Sequence, residues 1–259
     1  MEKYDITKPI KIPVGMHKLN DDAGISFQLN RLVNMDGCDL AAAKEIGNTI
    51  KSAADFYTVL KKHGDFELEN GHIKNAAALY RMSEFFTDWE DPNGLAAWKK
   101  ARELFFEYYA DFFSGETPIV ELINVPYEGY AMPTLKFNAQ SAKGTIVMHG
   151  GFFAPRASAF DERVTKCVSV AQFGALKMNF ADNAFVNGLI VGLLNVVLYG
   201  FGWLINIIYA AEKGSGMPFF RTYFHRMGTT NVYKLAKILW SIDLRPVADK
   251  LTKDYLVIG

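Results

Sequence analysis

The 259-residue chain is poor in cysteine and histidine, with two of the first and five of the second, and it has no surplus of charge, with 28 basic against 28 acidic side chains. A balanced charge excludes the basic surplus that nucleic-acid binding draws on, and it gives no bias toward an anionic surface. Cys38 and Cys167 lie far apart in segments of different kinds. They read as separate buried thiols of a reducing compartment rather than as a disulfide. No histidines or cysteines stand at the spacing of a metal-ligand motif, so no metal or cofactor is expected. The first fifteen residues, MEKYDITKPIKIPVG, carry charge and proline without the apolar core of a secretory signal, and a cytoplasmic location is expected. Apolar residues, by contrast, are plentiful. They make up half the chain, 14% of it aromatic, which is enough for a real core and argues against disorder.

Residues 1–20 are polar and contain proline, and read as a loosely ordered arm. Residues 21–115 read as a helical domain. DLAAAKEIGNTIKSAADFYTVLKKHG, from Asp39, is rich in helix formers; Gly64 could cap it, with a break near Gly47. Asn70–Phe86 carries Ile73, Ala77, Tyr80 and Met82 near helical spacing, and DWEDPNG at Asp88–Gly94 signals a stop and restart. Leu95, Trp98, Leu104, Phe105, Tyr108 and Phe112 then form an apolar band over Gly94–Phe113. From Gly115 the period shortens to that of strands. Ile119–Val125 and Met132–Asn138 flank the turn Pro126-Tyr127-Glu128-Gly129 and read as an antiparallel pair, and Thr145–His149 reads as a strand buried on both faces.

With NVPYEGYAMPTLKFN and GTIVMHGGF on the page, the chain resembles the α/β-hydrolases that carry an N-terminal helical domain. That group includes the fermentation–respiration switch protein and 2,6-dihydroxypseudooxynicotine hydrolase. The resemblance implies an α/β-hydrolase-like sheet, incomplete or rearranged, with the helical domain over 21–115 as a cap. It implies a partial hydrolase domain over 116–259, with lid helices at about 183–240. His149, Gly150, Gly151 and Phe152 would form the oxyanion loop, the backbone donors that stabilise developing negative charge in ester, amide or carbon–carbon cleavage. The implied ligand is small and apolar or acyl-like. His149 also has a bland reading, as a packing residue beneath the loop.

The resemblance breaks at the chemistry. The segment after Gly150-Gly151, FFAPRASAFDERVTKCVSV, resembles the helix that follows the family's nucleophile elbow and the strand after it. The same two glycines therefore end one motif and begin another, as a deletion between two such pairs would leave them. No G-x-S-x-G occurs anywhere in the chain. Ser158 stands seven residues past the glycine pair and is no replacement nucleophile. Arg156 reads as a surface residue, and Cys167 as inert core. Lys253–Gly259 resembles the strand before the family's catalytic acid, and the acid and histidine would follow the end of the sequence given. Serine hydrolase by descent, without a nucleophile, acid or base to carry the reaction, is the reading that results. Its alternatives are a non-catalytic ligand- or partner-binding derivative and a membrane-associated protein. Removing central strands would leave others unpaired, so a rearranged sheet, a homo-oligomer or poor stability is expected.

From Asn183 to Ala211 no charged residue occurs. Such a run has the length of a membrane span. Asn187, Asn195 and Asn206, with Gly188, Gly192, Gly200 and Gly202, suggest helix ends within it, and we read lid helices here in preference to a membrane segment. Pro218–Met227, Asn231–Trp240 and Pro246–Thr252 read as short solvated helices.

Overall fold

Three aspartates open helices in the N-terminal half of the chain. In the computed structural model, Asp22 Oδ1 accepts from the Ile25 amide at 3.0 Å and opens α1, Ala23–Asn34. Asp39 Oδ1 accepts from the Ala42 amide at 2.7 Å and opens α2, Leu40–Thr49. Asp91 accepts from the Asn93 amide at 2.8 Å, with Pro92 in the first helical position, and opens α5, Pro92–Tyr108. Each carboxylate satisfies an amide that the helix leaves without a partner, and its charge suits the positive end of the dipole. Between α2 and α5 run α3, Ala53–Glu69, and α4, Ile73–Ser83. The structure describes residues 15–88, 91–139, 141, 143, 164–170, 184–211, 224–225, 227–229, 231–241, 243, 245–250, 252 and 254–258. They fall into two compact units, one ending at Lys143 and the other taking up the described residues from 164 onward.

Helices α1 to α4 close around one core, and α5 packs on α4 in a second cluster of Ala76, Tyr80, Ala101 and Leu104. Ile25, Leu29 and Leu32 from α1, Ile46 from α2, Phe56 and Leu60 from α3 and Leu79 from α4 are all at most 2% exposed. Phe86, in a short 3-10 turn after α4, sets its ring edge-on to Phe56 at 4.7 Å between centroids. Burying seven such side chains is the main favourable term for this unit, on the order of 2 kcal/mol each before entropy.

Three local expectations are corrected here. Residues 15–20 are not a loose arm: Leu19 lies in the core, the His17 amide donates to Asn30 Oδ1 at 2.8 Å, and Asn30 Nδ2 donates back to the His17 carbonyl at 2.8 Å. Asn20 Nδ2 donates to the carbonyls of Gly47 and Ile50, at 2.8 and 2.9 Å. A Cβ on Gly47 would lie 1.9 Å from the Leu19 carbonyl oxygen, so Gly47 is there for close approach and not as a helix break. The break falls at Ile50–Ser52 instead. Gly64 is no cap either. It is buried inside α3 against Leu79 and Tyr80, and the helix ends at Asn70 with Gly71 at φ 78°.

Strands β1, Val120–Tyr127, and β2, Tyr130–Phe137, form an antiparallel hairpin with Tyr127 opposite Tyr130. Glu128 and Gly129 both have positive φ, 46° and 81°, the two-residue turn whose twist matches that of the strands. That turn makes Tyr127–Tyr130 a hydrogen-bonded pair, so Pro126 and Pro133, in non-bonded pairs of the same register, sit where an amide would point outward. Each outer edge of the hairpin thus lacks a donor that another strand could use.

The second unit holds β3, Lys166–Val170, and β4, Asp254–Ile258, paired in parallel with Cys167 opposite Tyr255. Between them in the chain come α6, Ala184–Ala211, and α7, Val232–Ser241. The α/β-hydrolase-like sheet is not what the described residues form. They are mostly helical and hold two separate two-stranded pairs, β1–β2 and β3–β4. A doubly covered sheet needs central parallel strands to join its halves, and without them each pair bonds only within itself. The third expected strand, Thr145–His149, lies outside the described residues. The expected helix ends within the apolar run are also corrected: Ala184–Ala211 is one helix of 28 residues, unbroken at its glycines and asparagines.

Candidate functional site

The residues that the sequence nominates for chemistry are scattered, or lie beyond what the structure describes. His149, Gly150, Gly151 and Phe152 fall outside the described residues, as do Arg156 and Ser158. Cys167 is buried in β3 as a free thiol. Cys38 is free and half-buried; burial, then the carboxylates of Asp39 and Glu67, push its thiol up to about 12. A thiol held protonated in this way is a poor nucleophile. His72 Nδ1 meets Glu67 Oε2 at 2.7 Å on the surface, and His63 lies along α3. His17 Nε2 is buried with no hydrogen-bond partner among the described residues. No group of three His, Cys, Asp or Glu side chains among them could hold a metal ion.

One polar cluster has perturbed protonation. Tyr80 donates to Asp65, which also accepts from Lys61 Nζ at 2.7 Å. Burial and then the Asp65 carboxylate push the Tyr80 hydroxyl well above its ordinary range. Burial opposes ionisation of Asp65, but the bonds from Lys61 and Tyr80 together outweigh it and hold its carboxyl low. No nucleophile adjoins this cluster, and it ties α3 to α4 structurally.

The feature with functional content is α6. No charged residue interrupts it, and as a helix it satisfies its own backbone bonds. Almost none of its Phe185–Leu204 stretch is buried by the rest of the chain. Phe185, Leu189, Leu193, Val196, Tyr199, Trp203 and Ile207 are all exposed, at spacings of three and four residues along the whole helix. The opposite strip, from Asn187 through Val191, Leu194 and Leu198 to Gly202, is half-buried or buried.

On α6 sits α7, with the rings of Tyr199 and Tyr233 edge-on at 5.5 Å. The Asn231 side chain accepts from the Lys234 amide at 3.1 Å and caps α7. Leu235 is buried, while Lys234 and Lys237 are exposed on the other side of the same helix. Sequence reading missed the continuity of α6 and its pairing with α7. The signal was present in the three-and-four spacing of the large side chains, which persists straight through the glycines. Compared with known proteins, the chain matches no family model, no curated protein and no solved structure.

Proposed function

We propose that this chain is a membrane-associated protein, attached through α6. The observation that carries the reading is the continuous exposed stripe from Phe185 to Ile207 on a helix without charge. An apolar surface of that length exceeds the scattered exposure of ordinary surfaces and calls for a lipid or protein cover. The helix's 28 residues, about 42 Å, lie within the length of helices that bind a lipid surface. The helical unit, with a buried core of its own, then remains in water as the attached cargo. The test is flotation of the purified chain with phosphatidylcholine–phosphatidylserine vesicles. The chain is expected at the top of the gradient, and a Leu193→Asp, Val196→Asp double variant is expected to stay at the bottom. Failure of the unaltered chain to float would sink the reading.

A second reading rests on the resemblance of VPYEG and GTIVMHGGF alone: a serine-hydrolase derivative that binds a small apolar or acyl-type ligand. Its test is the intact mass of the chain after a fluorophosphonate probe. An adduct would mean that a serine is activated. An unmodified mass near 29.0 kDa would leave ligand binding as the only hydrolase-derived role.

A further inference from the structure

Given that α6 is the membrane anchor, the second unit also contains the information on how it is seated. Strand β3 precedes α6 in the chain and β4 follows it, yet the two are hydrogen-bonded neighbours. A helix that crossed the bilayer once would put β3 and β4 on opposite sides. A second crossing would be needed to bring them together. From Glu212 to Lys253 no uncharged run exceeds seven residues, and α7, with ten residues, is about 15 Å long against a hydrocarbon core of about 30 Å. The thirteen residues from 171 to 183 include Lys177 and Asp182 and cannot cross either. Nothing in this stretch of chain provides the return.

Two further observations agree. Tyr199, where α7 touches α6, lies about 22 Å from the start of the helix and about 18 Å from its end. In a crossing helix that is the middle of the bilayer, and the exposed Lys234 and Lys237 of α7 would be held at that depth, where a charge is most costly. The exposure of α6 is also lopsided: the strip from Asn187 to Gly202 is half-buried or buried while the Phe185–Ile207 stripe is exposed. That suits a helix with protein along one strip and lipid along the other, whereas a lone crossing helix faces lipid all round.

We infer that α6 lies along one leaflet without crossing it. Its Phe185–Ile207 stripe is sunk into the acyl boundary, and β3, β4 and α7 stay on the side from which it entered. The partner is an anionic lipid surface, because Lys237 Nζ lies 5.3 Å over the ring of Tyr233, which meets Tyr199 on the stripe, and Lys234 is exposed one turn away on the same helix.

The experiment uses the full chain with Cys38→Ala and Cys167→Ala, carrying Thr165→Cys and Thr252→Cys together, both at exposed positions flanking the β3–β4 pair. After addition to sealed phosphatidylcholine–phosphatidylserine vesicles, the floated protein is treated with a membrane-impermeant maleimide and weighed intact. Doubly labelled molecules are expected. Singly labelled molecules would mean that α6 crosses; that result overturns the one-leaflet seating while leaving membrane attachment in place. A chain that never floats, and instead runs as a stable dimer or with α6 covered by protein, overturns the attachment itself. Should the cysteine exchanges disturb folding, Tyr255→Cys against native Cys167 gives a second measurement. Oxidation is expected to cross-link the two register partners in vesicle-bound protein, and a crossing helix forbids that bond. On phosphatidylcholine alone, the Lys234→Gln, Lys237→Gln variant and the unaltered chain are expected to bind alike; on anionic vesicles the variant is expected to bind several-fold more weakly. Equal binding on both would remove the anionic preference.

Discussion

In the helical bundle Leu29, Leu32, Phe56 and Leu60 have no exposed surface, whereas on α6 Phe185, Val196 and Tyr199 keep two thirds or more of theirs. Both regions are helices built from the same apolar residue types. In α1 to α4 the apolar positions recur as stripes narrow enough for a neighbouring helix to cover, and polar residues fill the remaining faces. In α6 the apolar residues go all the way round, and α7 covers only one strip. The first pattern specifies a core within the chain, and the second specifies a surface that something outside the chain must cover. The division of labour proposed here, cargo and anchor, is that difference restated as function.

The comparison breaks if a side chain from α6 proves as important to folding as one from the bundle. Phe56→Ala is expected to cost about 3–5 kcal/mol in urea unfolding of the helical unit, since it deletes a sealed ring that meets Phe86 edge-on. Leu193→Ala, at a position 66% exposed, is expected to stay within about 0.5 kcal/mol in the same measurement. A large loss from Leu193→Ala would show that α6 packs as core and would withdraw the anchor.

Glycines sharpen the same contrast. Gly47→Ala would drive a methyl into the Leu19 carbonyl, and is expected to cost about 1–3 kcal/mol and to release the amide protection of Leu19 in hydrogen exchange. At Gly188 and Gly192 an added Cβ would meet nothing within 4 Å. There alanine is expected to raise helicity, with a gain of about 0.5–1 kcal/mol from propensity. Loss of structure on Gly188→Ala would mean that another element lies against that face.

Protonation separates the bundle from α6 as well, because only the bundle contains the Asp65–Tyr80 pair. The folded-state pKa of Asp65 is lowered from its ordinary 3.8, so its stabilisation is present above that value and is lost as pH falls through the folded one. That of Tyr80 is raised from 10.0, so its stabilisation is present below pH 10 and is lost as pH rises further. Thermal unfolding of the bundle is therefore expected to fall off at both ends. Asp65→Asn should flatten the acid limb, and Tyr80→Phe the alkaline one. A variant that leaves its limb unchanged would show that the pair contributes nothing there.

How much of this was legible in the sequence varies with the range of the interaction. The caps at Asp39 and Asp91, the hairpin and the strand segments around Cys167 and Tyr255 are set by residues within a few positions of one another, and could be read. Gly47 and Gly64 misled because their roles depend on Leu19 and Leu79, which no local pattern brings near. The sheet misled for a similar reason. A resemblance implied a whole assembly, but a strand forms sheet only with neighbours to bond to, and here β1–β2 and β3–β4 each stop at two. In α6, glycine and asparagine were taken as helix ends. Asparagine disfavours a helix by offering its side chain to the backbone and glycine by its backbone entropy, and across a long apolar run neither has enough effect. Of the candidate site, the loop from His149 to Phe152 is readable only by its motif, while the spacing of large side chains shows the continuity of α6 but its lack of cover emerges only once exposure is known.

The smallest effect is expected at the hairpin, which stands between the two behaviours: formed by its own register, yet with Leu122, Val125, Met132 and Phe137 exposed. If its stability is local, it should respond to its turn. Glu128 holds φ at 46°, where a side chain costs about 1–2 kcal/mol relative to glycine, while glycine gives back part of that in the entropy of the unfolded chain. Glu128→Gly is therefore expected to stabilise the hairpin by about 0.5 kcal/mol, read as slower exchange of the Tyr127 and Tyr130 amides, and Glu128→Val should reverse the sign. The register pair Glu121 and Lys136, at 2.9 Å, is more than a third exposed on both sides and should contribute less than the turn does. If neither turn variant moves those amides, the hairpin is held from outside by contacts on its exposed faces, and it belongs with α6 among the surfaces that await a cover.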